Sequence, residues 1–236
     1  MEKYIDLEKS TVVAERVRDI RRRIALAKRE GTPDAVTLVA ASKTMPYELI
    51  RQAVEAGVDA VGENRVQELL EKDAQNAYDG VPLHFIGRLQ KNKVSKLVGR
   101  VALIHSVDSP ALAQAIDTCA ERLGVVQPVL VQVNIAAEQT KGGLASEEVQ
   151  SALEIMSSLQ HIHVRGLMCI PPPIQSDSDT QYFVDIEQLY LDIRGKNMDN
   201  IDMDFLSMGM SGDFELAVRA GANMLRIGSA LFGQRG

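Results

Sequence analysis

The run "VTLVAASKTMP", Val36 to Pro46, is apolar and β-branched until it meets one lysine, Lys43, shortly before a proline. A lysine closing a buried strand suggests chemistry, because an amine shielded from water gives up its proton more readily and can then attack a carbonyl. Alternation along the strand puts Val39, Ala41 and Lys43 on one side and Leu38, Ala40 and Ser42 on the other. The plain alternative is a side chain whose stem lies along apolar surface while its ammonium reaches water. Far downstream, "FLSMGMSGDFELAVRAG" passes from a strand to a helix through serine and glycine, and "MLRIGSALFG" follows. Ser211 is placed to cap a helix that starts near Gly212, the free backbone N–H groups there attract an anion, and Gly228 lets a second stretch of backbone reach the same oxygens. Serine and glycine are also ordinary turn residues, so the outline of a phosphate cup has a bland counterpart.

What must position these groups is an alternating chain. The strand-like runs are "VTLVAAS", "VDAVGE", "PLHFIG", "VALIHSV", "PVLVQVN", "IHVRGLMCI", "IDMDFLSMG" and "NMLRIG", eight in all, with helical stretches between them. Pro46 and Pro110 stand where a first helical turn favours proline, Asp108 or Ser109 can act as N-cap, and Gly57, Gly124 and Gly221 fall at helix ends. Eight strands with helical crossovers predict an α/β fold, a single (β/α)8 barrel over residues 36–236. Ahead of it, Val13, Val17, Ile20, Ile24 and Ala27 recur at helical spacing and predict an amphipathic helix within residues 1–31, ending at Gly31 and covering the barrel's outside or bottom. Only "SALFGQRG" follows the eighth strand, so the last helix is short. "PPPIQSDSDTQ" has linker character but is too short to divide domains. The whole chain, 1–236, reads as one domain.

Active sites of such barrels gather at the carboxyl ends of the strands, and phosphate is frequently held after strands seven and eight. Closure puts strand eight beside strand one, so a phosphate at Ser211 and Gly228 lies within a small cofactor's length of Lys43. Pyridoxal 5'-phosphate (PLP) offers an aldehyde to the lysine and a phosphate to the cup, leaving its pyridine nitrogen to be met. Arg226 shares the face of Met224 and Gly228 and can meet it. A guanidinium only donates hydrogen bonds, so it keeps that nitrogen unprotonated and the ring a weaker electron sink. A lysine-dependent aldolase for a sugar phosphate would use the same geometry without a chromophore.

Composition agrees with a small-molecule partner. The 236 residues carry a formal net charge of -6 and 45% hydrophobic residues, without tryptophan, which suggests neither a nucleic-acid binder nor a membrane protein. Cys119 and Cys169 lie far apart, indicating no disulfide framework or zinc site and a reducing cytoplasm as the expected compartment. No targeting segment is read at the N-terminus.

Together "ASKTMP", "GENRVQE", "HFIGRLQKNK", "IHSVD", "VNIAAEQTKGG", "GLMCI", "LSMGMSGDFELAV" and "RIGSALFG" resemble the PLP homeostasis protein family, from about Val36 to the C-terminus. The resemblance implies a PLP-binding barrel like the N-terminal domain of alanine racemase (PLP fold type III), without that enzyme's second domain. It implies that Lys43 carries the internal aldimine, that Ser211, Gly228 and Ser229 hold the phosphate, that Arg226 faces the ring nitrogen and that Asn64 lines the pocket. Ala41 stands where a valine is more usual. A racemase needs acid/base groups on both faces of the α-carbon, and none of Tyr4, Tyr47, Tyr78, Tyr182 and Tyr190 sits in a motif that would supply the second. The implied function is to hold, buffer or deliver PLP, as a monomer with PLP-dependent apo-enzymes as partners and with no strong catalysis. The rivals are a weak racemase and a regulatory interaction protein with a structural PLP.

Other features read more plainly. His161 and His163 open the sixth strand, the wrong end for a barrel site, so they are expected to be ordinary buried or rim residues. "SMGMSG" lacks the spacing of a nucleotide-binding fingerprint. Arg21, Arg22 and Arg23 share their helix with acids and read as a solvated face; Lys91, Lys93 and Lys96 read as a solvated helix start. Lys141 lies on the active-site side, as a loop lysine or a receiver of released cofactor.

Overall fold

The eight predicted runs form parallel strands β1 Thr37–Ala41, β2 Ala60–Glu63, β3 Leu83–Phe85, β4 Leu103–Val107, β5 Gln127–Val133, β6 Ile162–Cys169, β7 Ile201–Ser207 and β8 Met224–Ile227. Each pairs with the next and β8 closes on β1, with Arg226 opposite Val39. The structure, a computed structural model, describes residues 2–30, 35–138, 141–175 and 177–233, with side chains from residue 12 onward except 177 and 178. Around the strands lie α1 Glu2–Ala27, α2 Tyr47–Glu55, α3 Val66–Asp73, α4 Pro110–Leu123, α5 Val149–Met156, α6 Gln181–Arg194, α7 Phe214–Arg219 and the short α8 Ser229–Phe232. After β3 the chain takes only a 3-10 turn at Lys91–Lys96, whose three lysines are exposed.

Local chemistry sets these boundaries. Of the two N-cap candidates ahead of α4 it is the Ser109 hydroxyl that accepts the Leu112 N–H, at 3.3 Å. Pro110 opens the helix, and Gly124 ends it at φ 65°, a left-handed conformation that costs a residue with a Cβ. Pro46 sits one position earlier than expected, just outside α2.

Alternation divides the core into two layers. Leu38, Ala40, Val61, Phe85, Ile104 and Leu225 face outward under the helices, whereas Val39, Ala60, Leu103, Leu130, Met168 and Met224 form a separate cluster inside the barrel. α1 buries Val13, Val17, Ile20, Ile24 and Ala27 and packs on α2, α7 and α8, the outside of the barrel. It ends at Ala27, earlier than expected, and Gly31 lies outside the described residues. Its arginines do more than solvate a face. Arg21 pairs with Asp59 at 2.8 Å, and Arg23 pairs with Glu215 at 2.5 Å while lying over the Phe214 ring, so both fasten α1 to the barrel. Arg22 pairs within the helix, with Asp19. Among the described residues no helix is long and apolar enough to cross a membrane.

Candidate functional site

At the carboxyl end of β1 the chain turns sharply. Met45 N–H donates to Ser42 O at 3.0 Å, closing a turn whose central residues are Lys43 and Thr44. β1 stops at Ala41, so Lys43 is carried over the rim and its side chain is exposed. Of the two readings open for this lysine, an amine shielded inside the strand and an ammonium that reaches water, the structure shows the second, because the strand ends before the lysine. No described residue bonds to its ammonium, which leaves it available at the mouth of a cleft.

That cleft, about 480 Å³, is lined by Lys43, Asn64, Ser211, Arg226, Gly228 and Ser229, all of the candidate residues, with Ile86, Ile170 and Phe232 among its apolar walls. The volume falls in the range of small-molecule sites. Ser211 does not cap the helix after Gly212, as the sequence suggested. α7 begins at Phe214, and the Ser211 hydroxyl instead accepts N–H bonds from Gly228 at 3.2 Å and Ala230 at 3.0 Å, joining the loops after β7 and β8. Gly228 N–H is taken up by Ser211, while the N–H groups of Ser211, Gly212 and Ser229 bond to no described residue. Gly212 adds open space, for a Cβ there would meet nothing within 4 Å.

Arg226 enters from β8, almost fully buried. It donates to Ser207 Oγ at 2.6 Å and to the Cys169 carbonyl at 2.8 Å, which fixes the guanidinium against the cleft. Burial draws its pKa down, but a guanidinium remains charged. Behind it a polar chain crosses the barrel, from Ser207 Oγ to His105 Nδ1 at 3.1 Å and from His105 Nε2 to His84 Nδ1 at 3.1 Å. Because Arg226 donates to Ser207, the serine proton is free to go to His105 Nδ1, whose Nε2–H then donates to His84. Burial pushes His84 down from 6.5 to about 4; burial, helped by His84 and Arg226, holds His105 well below the same value. Burial also pushes the Cys169 thiol up to about 12, so it offers no thiolate.

The neutral histidines give a signed pH dependence. Below pH 6.5 the unfolded chain binds protons that the folded barrel refuses until about pH 4, so stability falls as pH drops through that window. Urea melts from pH 7 to pH 4.5 should show this loss, and His84→Asn should flatten it. An unchanged slope in the variant would contradict the assignment.

Asn64 stands on the opposite wall, its Oδ1 buried and without a hydrogen-bond partner among the described residues. Gly87 makes room for it, since a Cβ there would lie 2.0 Å from the Asn64 carbonyl oxygen. An acceptor on one wall, N–H donors on the other and an amine between them, all without partners among the described residues, suit a small molecule bearing an anion, a carbonyl and a hydroxyl.

The remaining candidates lie elsewhere. His163 pairs with Asp202 at 2.7 Å, and His161 N–H donates to Asp117, at the amino end of β6. Lys141 pairs with Glu138 at 2.6 Å and donates to Ile170 O at 3.4 Å. The hydroxyl of Tyr78 donates to Glu63 and that of Tyr190 to the Met203 carbonyl.

Comparison with known proteins decides the lineage. The family model for the alanine racemase N-terminal domain matches residues 16–236. A pyridoxal phosphate homeostasis protein of Aquifex aeolicus is 44% identical over 200 residues, covering 84% of this chain and 86% of the relative. The chain belongs to the pyridoxal phosphate homeostasis protein family. The family member of Pseudomonas aeruginosa is 36% identical over 230 residues, 95% of this chain and 96% of that one. PipY of Synechococcus elongatus PCC7942, solved with PLP bound, superposes with a TM-score of 0.81 at 34% identity, covering 94% of this chain and all of that one. Alanine racemase of Clostridium difficile 630, at 18% identity and TM-score 0.72, shares the fold over 97% of this chain and 60% of its own.

In this member of the homeostasis family, sequence reasoning missed the cleft residues Met45, Ile86, Ile170, Met210 and Phe232 and the chain of His84, His105 and Ser207 behind Arg226. Strand alternation could have found the latter, for it puts His84 with Ile86, His105 with Leu103 and Ser207 with Phe205 on inward faces.

Proposed function

We propose that this chain binds PLP through Lys43 and buffers or delivers it, contributing to intracellular PLP homeostasis without strong catalysis. One observation carries the reading: a lysine amine and the N–H groups of Ser211, Gly212 and Ser229, none of which has a partner among the described residues, share a cleft with the buried Arg226. PLP supplies, when bound, an aldehyde that condenses reversibly with an amine. Lys43 provides that amine, and its exposure lets another amine compete for the same carbonyl. The three N–H groups donate to the phosphate, and Gly228 contributes close packing rather than a donor, since a Cβ there would crowd Ala41 O at 3.3 Å. Arg226 donates to the ring nitrogen and keeps it unprotonated. Asn64 Oδ1 accepts from the ring hydroxyl.

Delivery is favoured over racemisation because the two sides of the cleft are unequal. No tyrosine is among the described residues that line it, and the hydroxyls of Tyr78 and Tyr190 are engaged elsewhere. The chain acts as a monomer in the cytoplasm, α1 and the barrel working as one unit, and hands PLP to apo-enzymes. Two measurements test this. Equilibrium dialysis should show pyridoxal, which lacks the phosphate, binding at least about tenfold more weakly than PLP; equal affinities would remove the phosphate from the account. Loaded protein incubated with L-alanine in deuterated water should show little α-hydrogen exchange or racemisation. Turnover of about 1 to 1000 per second would make it an enzyme.

Ser211→Ala tests the bridge between the loops after β7 and β8. The change orphans the Gly228 and Ala230 N–H groups and should cost about 0.5 to 2 kcal/mol of stability with weaker PLP retention. Chemical denaturation and dialysis check both, and an unaffected variant would remove Ser211 from the cup.

A further inference from the structure

The turn that presents Lys43 is strained and clamped. Thr44, a β-branched residue, has φ 63°, a conformation usually left to glycine or asparagine. Such an outlier persists only where its surroundings impose it. The residue after Lys43 is held by Glu68 of α3, whose Oε1 accepts the Thr44 N–H. The residue before it is held by Lys72 of the same helix, whose Nζ donates to the Ser42 carbonyl at 2.9 Å. Lys72 is buried and also joins the two carboxylates of the clamp, Glu63 at 2.8 Å and Glu68 at 2.6 Å. Glu63, fully buried at the end of β2, takes the Ser42 hydroxyl at 2.6 Å and the Tyr78 hydroxyl at 3.1 Å on the same oxygen. Every one of these bonds ends on a neighbour of Lys43 or on the group that holds that neighbour, and none touches the cleft.

The geometry points to Lys72, with Glu63 and Glu68, as the positioning device for Lys43: one buried ammonium fixes both flanks of the turn and so aims the exposed amine into the cleft. This role rests on the reading of Lys43 as the PLP-binding amine. Lys72 does no chemistry on the ligand. A free turn would let Thr44 relax from its left-handed conformation, and the lysine would then sample the solvent around the rim instead of one direction.

The test uses the full-length chain with PLP as probe and reads the unloaded protein as well. Glu68→Gln keeps an acceptor of the same shape without its charge, so the thermal midpoint of the unloaded protein should stay near that of wild type. The Thr44 amide proton should nonetheless move upfield in NMR, and capture of PLP, followed by absorbance under excess PLP, should slow about fivefold. Lys72→Met should slow capture further. If it fails to fold because Glu63 is left unpaired, Glu68→Gln still decides the matter. Wild type that captures PLP, beside Glu68→Gln with an unmoved Thr44 amide and unchanged capture, overturns the positioning role alone. Wild type that captures no PLP overturns the binding proposal, and the positioning role with it.

Discussion

Lys43→Ala should leave a folded barrel that takes up no visible chromophore from PLP and retains none through gel filtration. Lys43 is exposed, and its amine bonds to no described residue, so its removal takes away no packing and leaves no buried group unpaired. Exposed substitutions of this kind usually change stability by less than about 0.5 kcal/mol. The loss should therefore be confined to covalent capture and be complete, while weak phosphate-dependent binding at Ser211, Gly212 and Ser229 remains. A variant that still turned yellow would place the reacting amine elsewhere.

Arg226→Glu should act in the opposite way, on the fold as much as on the ligand. The guanidinium donates to Ser207 and to the Cys169 carbonyl inside the barrel, and Asp213 is close enough to influence it. A carboxylate there would face a carbonyl that can only accept and an acid of its own sign. Burying such a group without partners should cost at least about 3 kcal/mol, visible in urea melts of the unloaded protein. In the fraction that folds, the ring nitrogen would lose a donor and gain a proton acceptor, so the absorption spectrum of bound PLP should shift more than its retention falls. A variant with wild-type stability and an identical spectrum would contradict both roles of Arg226.

The barrel was legible because its signals are local. Period-two runs, Pro110 at the first turn of α4 and Gly124 behind it act within a few residues of themselves, and the predicted strands and helices follow them. Four residues of the cleft, Lys43, Ser211, Arg226 and Gly228, could likewise be gathered from strand ends once closure was assumed, whereas Asn64 and Ser229 came only with the resemblance to the family. Details that depend on contacts between distant segments were not legible. Ser211 bonds across 17 residues to Gly228, and nothing in "MSGDF" distinguishes that partner from the helix directly after it. Lys43 lies beyond the strand because the chain turns between Ser42 and Met45, and the groups that hold this turn, Glu68 and Lys72 of α3, are 24 and 30 residues from their partners Thr44 and Ser42. Alternation continued past Ala41 therefore placed the lysine inside a strand that had already ended.

The most direct test of the central claim is chemical trapping. Wild-type protein loaded with PLP, reduced with borohydride and digested should carry one pyridoxyl group, on the peptide containing Lys43. Label on Lys141, on Lys72 or spread over several surface lysines would contradict the account.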